Sequence, residues 1–166
     1  MPTINTPSSA HAGPATIAGW QWLPYTDATL LHTLRDAIHI ISARINGNKP
    51  CDAAFKALPS GRTFAQVWAD ASIWVSYDPD NIGTKYGVTD RVGGSEISIT
   101  RYALRMGRWT TAATLIHELA HTNGAPGGAS HAAEATLSSC LLNALEDKAI
   151  LGQIIRASNN NGTRIA

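Results

Sequence analysis

The chain has 166 residues, is 44% apolar, and sets 13 Lys and Arg against 12 Asp and Glu for a formal net charge of +1. That is one domain's worth of chain with enough apolar material for a core, which excludes wholesale disorder. The balanced charge leaves no footprint for nucleic acid or a polybasic membrane surface, and no apolar run approaches the length of a span, so neither partner is expected.

Residues 1–19 are rich in Pro, Ser, Thr, Ala and Gly and read as a flexible N-terminal arm or linker. They lack a basic stretch followed by an apolar core, so they do not read as a Sec signal peptide. The expectation is secretion or delivery by a non-Sec route, and otherwise a cytoplasmic location. Trp20 and Trp22 mark where the chain meets the core. A domain over 20–156 and a polar tail over 157–166 complete the expected organisation.

Between Asp27 and Asn46, Leu30, Leu31, Leu34, Ile38, Ile41 and Ile45 fall at helical spacing, with Asp27 as cap and Gly47 as stop. His32 and His39 lie in this helix and read as structural or solvent-facing. Two short helices are predicted over 51–58 and 63–71, separated by "PSGR". The run "SIWVSY" (72–77) reads as a strand. After a Gly-rich loop, "SEISITRY" (95–102) alternates Ile97 and Ile99 with polar residues and reads as a half-buried strand.

"WTTAATLIHELAHTN" (109–123) is predicted as a helix opened by a Thr cap and closed by Gly124. The loop "GAPGGAS" leads to a last helix over 131–150, with Leu137, Leu141, Leu142 and Leu145 on its inner face. Cys51 and Cys140 lack CxxC spacing and are weak zinc candidates. They could form one disulfide in an oxidising compartment, but two buried thiols are preferred, because Cys140 lies in an apolar helical pattern.

His117, Glu118 and His121 spell HExxH. On a helix, residues four apart stand one turn above each other, so both imidazoles leave the same face. Two nitrogens so placed can grip one Zn²⁺ at about 2.0–2.1 Å. Glu118 lies about 100° further round, where its carboxylate can hold and deprotonate a water that the metal acidifies. A catalytic zinc usually takes a third protein ligand. The candidates are Glu134 and His131. If the last helix returns antiparallel, Glu134 stands one turn deeper, opposite the two histidines, and is the preferred ligand. His131, three residues away on the same face, would then touch substrate or orient a ligand.

These residues resemble the zincin metallopeptidases. The resemblance covers roughly 72–148 and rests on His117, Glu118, His121, the strand "SEISITRY" and the Glu134 helix. It looks most like the glutamate-ligand branch, the gluzincins, and is similar to HExxH toxin or effector modules of bacterial polymorphic and secretion-system proteins. The metzincin pattern is not met: Gly127 stands where a third His would be, and neither Met1 nor Met106 lies downstream of the motif.

The resemblance implies a compact α+β zincin-like domain, a small sheet packed on the HExxH helix and a following glutamate-bearing helix. It implies zinc-dependent peptide hydrolysis, with Glu118 as general base and a peptide or protein substrate laid along an edge strand, 95–102, by β-augmentation. Tyr86, Tyr102 or His131 would steady the oxyanion. An effector role implies a cognate inhibitor or immunity protein as a further partner. Two other functions use the same residues: hydrolysis of a cell-wall peptide crosslink, and a non-enzymatic zinc module. The second leaves the acid of Glu118 without a task.

Overall fold

Asp27 opens helix α1 (Ala28–Ile40) by accepting hydrogen bonds from the Thr29 and Leu30 amides at 2.8 and 3.2 Å. One wider π turn, Ile41–Ile45, extends it, and Gly47 ends it at φ 82°, where a side chain would be strained. The computed structural model describes residues 1–14, 17, 19–83, 85–127 and 130–141. The tail expected over 157–166 and the second half of the helix expected over 131–150 lie outside them.

Two short helices follow, α2 (Lys49–Lys56), capped by Asn48, and α3 (Phe64–Trp68), opened by a Thr63/Gln66 capping box. The chain then enters a four-stranded sheet: β1 (Thr3–Ile4), β2 (Trp74–Asp78), β3 (Gly87–Thr89) and β4 (Glu96–Thr100), in the order β1-β2-β4-β3. β1, β2 and β4 run parallel, and β3 is antiparallel to β4. Helices α4 (Arg101–Arg105), α5 (Arg108–Thr122) and α6 (Ala132–Leu141) complete the described chain. This mixture of helices with one small sheet is compatible with the expected α+β class.

Alternation along the strands decides what each face meets. Val75, Tyr77, Ile97 and Ile99 point into the main core with α1 and α5. Ser76, Ser98 and Val88 share the opposite face, as the pairings Ser76↔Ser98 and Val88↔Ser98 require. That face is covered, not wetted. Trp20 and Trp22 pack on Val88, the Ser98 hydroxyl donates to the Gln21 carbonyl at 2.6 Å, and the Asn5 amide donates to Ser76 at 3.1 Å.

Three expectations are corrected here. The start of the segment read as an arm is tied down: Thr3–Ile4 is a strand of the sheet, and His11 stacks on Trp74 at 3.9 Å while pairing with Glu96 at 2.9 Å. The polar residues on the second face need partners, and the N-terminal chain supplies them. The strand read as half-buried, 95–102, is buried on both faces from Ile97 to Thr100, and it lies between β2 and β3 rather than at an edge. The two cysteines are not thiols. Cys51 on α2 and Cys140 on α6 are fully buried against each other and joined as a disulfide.

Tyr25 seals the junction between the N-terminal chain and the core. Its ring is 2% exposed and lies 5.6 Å from that of Tyr77, and its hydroxyl donates to the Ser76 carbonyl. Burial, and secondarily Tyr77, push the phenol far above its ordinary value of 10.0. A raised folded-state value means stability that is complete below the unfolded value and is lost as pH climbs beyond it. Denaturant midpoints are therefore expected to fall between pH 9 and pH 11, roughly spanning the free phenol value. Tyr25→Phe, weaker at pH 9 for want of one hydrogen bond, should lose less over the same interval. An equal loss in both proteins would place the alkaline sensitivity elsewhere.

Candidate active site

Helix α5 is built to be buried. Every residue from Thr111 to Thr122 is buried, enclosed by α1, β3, β4 and α6. Its start is not the expected Thr cap. The chain spends Thr100 on capping α4, then turns through Gly107 at φ 101° directly into α5, so the Thr110–Thr111 pair lies inside the helix.

Its end is closed by Gly124 at φ 92°, as expected. The Ala125 amide reaches back to the Ala120 carbonyl and the Gly124 amide to the His121 carbonyl, both at 2.9 Å, which is a Schellman closure. A side chain at Gly124 would be strained by that φ and would press on Pro59 and Ser60. Buried Asn123 donates to the Phe55 and Arg62 carbonyls at 2.8 and 2.9 Å. The Arg62 guanidinium returns to Asn123, to the Thr122 carbonyl and to Asp70. The Ser72 hydroxyl, more than Arg62, holds the Asp70 carboxyl below its usual range.

The closure has a chemical consequence. It delivers the Ala125 carbonyl 2.8 Å from His121 Nδ1. A carbonyl only accepts, so Nδ1 carries the proton and Nε2 keeps its lone pair. That lone pair faces His117 Nε2 at 3.1 Å, with the rings nearly perpendicular at 74°. Two ligands about 2.0–2.1 Å from one tetrahedral ion stand about 3.3–3.4 Å apart, so the pair fits zinc with a few tenths of an ångström of adjustment. Burial, and then the charge of His121, push His117 down to about 3, so its imidazole is neutral and able to coordinate.

Glu118 is 1% exposed. Its partner is one the sequence did not single out: Thr89 Oγ1 lies 2.9 Å from the carboxylate and 3.0 Å from the Glu118 carbonyl. Burial drives the carboxyl up to about 6; His121 and the Thr89 hydrogen bond oppose that rise, and Glu134 adds to it.

The remaining candidates are placed as follows. Glu134 is half-buried in the first turn of α6, which packs on α5, and its charge is felt at Glu118. Among the described residues no group of three or more His, Cys, Asp or Glu side chains stands close enough to hold a metal ion, so the structure assembles the imidazole pair and leaves Glu134 outside it. His131 is exposed just before α6, on left-handed backbone at φ 51°. Tyr86 and Tyr102 meet edge to face at 5.3 Å and share a hydrogen bond, which, after burial and the charge of Tyr102, helps raise the Tyr86 phenol.

No family model, curated protein or solved structure matches this chain. Among the described residues no helix is long and apolar enough to cross a membrane.

Proposed function

We propose that the protein is a zinc-dependent peptidase, a zincin-like hydrolase in which the imidazole pair of His117 and His121 would hold the metal, Glu134 would complete the site by closing on that pair from α6, and Glu118 is the general base. One observation carries the reading: the two Nε2 atoms face each other at 3.1 Å beside a buried carboxylate, one of them held as a lone-pair donor by the Ala125 carbonyl. Zinc, when bound, supplies a Lewis acid that polarises a scissile carbonyl and acidifies water. Glu118 accepts the proton of the attacking water and returns it to the departing nitrogen. His131, on the open side of α6, contacts substrate.

The extended substrate lies along β3, not along 95–102, because β3 is the outermost strand on the side of α5. A non-enzymatic zinc module has no use for a fully buried carboxyl that costs free energy to ionise. The buried disulfide favours a working place outside the reducing cytoplasm, in keeping with a delivered effector that acts on a protein or a cell-wall peptide and is restrained at its source by an inhibitor.

Elemental analysis of purified protein is expected to find one zinc per chain, lost in His117→Ala. Casein or peptidoglycan peptide cleavage should stop with a chelator and return with added zinc. Cleavage that survives full removal of the metal would sink the reading.

A further inference from the structure

We propose that β3 is the positioning strand of the base: Thr89 orients the Glu118 carboxylate and Gly87 makes room for it. This rests on the peptidase reading and adds to it the two residues that keep Glu118 in place. Residues two apart on a strand share a face. The register Gly87↔Ile99 and Thr89↔Ile97 turns that shared face towards α5, while Val88 between them packs on Trp20 and Trp22.

The Thr89 hydroxyl stands 2.9 Å from one carboxylate oxygen, Oε2. The other side of the carboxylate lies over Gly87. A Cβ built there would come within 3.2 Å of both Glu118 Oε1 and Cγ, and within 2.7 Å of the Thr114 methyl. Glycine is thus demanded by close approach, since its backbone is not left-handed. Glu118 has few alternatives: neighbouring α5 residues are all buried, and a carboxylate swung away from Thr89 would lose its hydrogen-bond donor inside the protein. The one hydroxyl proton is shared between Oε2 and the Glu118 carbonyl, which lies 3.0 Å away, so this forked contact ties the side chain to its own backbone through β3. A base misplaced by about 1 Å can lose about 100-fold in rate, so this contact bears on turnover rather than on substrate binding.

The test compares Thr89→Val, which keeps the shape and removes the hydroxyl, with Thr89→Ser, which restores it. Zinc content and KM are expected to stay at wild-type values in both. The Val variant should lose kcat by about 10–100-fold, the usual cost of removing a supporting hydrogen bond, and the Ser variant should recover most of it. Crystal structures of the metal-free proteins should show the Glu118 carboxylate displaced in Thr89→Val and in place in Thr89→Ser. Gly87→Ala is the second probe, because it leaves the hydroxyl alone and pushes on the carboxylate from the other side; it too should lower kcat with the metal retained. Wild-type turnover in Thr89→Val, or in Gly87→Ala should the Val protein not fold, overturns the role of β3 while leaving the peptidase reading intact. So does a Ser variant as impaired as Val. Zinc-loaded wild-type protein that hydrolyses nothing overturns both.

Discussion

Glu118→Gln is expected to keep the fold and the zinc while losing hydrolysis by about 10²–10⁴-fold, the range of general acid–base help. The substitution conserves shape, and an amide can still accept from Thr89, which stands 2.9 Å from the carboxylate in the wild type. It also removes a charge from a residue that is 1% exposed, so nothing in the core is asked to bury more polarity than before. His117 and His121 are untouched, and so is the Ala125 carbonyl that sets the His121 tautomer. What disappears is the one group that can take a proton from water and give it back to a leaving nitrogen, because an amide does neither at neutral pH. Zinc by elemental analysis, a melting curve and a cleavage rate separate these effects. A Gln variant that holds zinc and cleaves at the wild-type rate removes Glu118 from the chemistry and, with it, the zincin-like mechanism.

The parts of this fold that were legible beforehand are those whose signals are local. Asp27 two residues before Thr29, the Ile97/Ile99 alternation and the HxxxH spacing each need only one element to be read, and α1, β4 and the imidazole pair follow. β3 was not legible. It is three residues, "GVT", in a glycine-rich stretch, and it is a strand only because β4 pairs with it and α5 lies on it. Thr89 is 29 residues from Glu118 in the chain, and no period links them. The same holds for the N-terminal segment, whose composition suits a linker but whose Asn5 and His11 answer polar groups on β2 and β4 that lie 71 and 85 residues away. One signal at the site was available. Asn123-Gly124, one residue beyond the second histidine, is a helix-closing pair, and a Schellman closure implies a backbone carbonyl near the last turn. Glu134 lies between these cases, since helical spacing places it on α6, while how deeply α6 sits against α5 is a matter of packing across helices.

The disulfide holds that packing, and its loss is the other large expected effect. Cys51 and Cys140 are 89 residues apart, and a crosslink closing a loop of that size is worth about 4–5 kcal/mol in the chain-entropy account. For a protein of this size that corresponds to roughly 10–20 °C in melting temperature. Both cysteines are fully buried, so a reductant reaches them only when α2 and α6 part, and the Cys51→Ala/Cys140→Ala double variant is the cleaner probe. The consequence reaches beyond stability. Cys140 lies on the same ten-residue helix as Glu134, and α6 is held between α2 on the disulfide side and α5 on the histidine side. Freeing the Cys140 side loosens the hold on Glu134 while leaving His117 and His121, both on α5, in place. If Glu134 is the third ligand, the double variant is expected to bind zinc about 10–100-fold more weakly, and Glu134→Ala with the disulfide intact should show at least as large a loss. A double variant that melts well below the wild type, yet binds zinc as tightly as it does at a temperature where both are folded, would assign the disulfide to stability alone and leave the third ligand to be sought off α6.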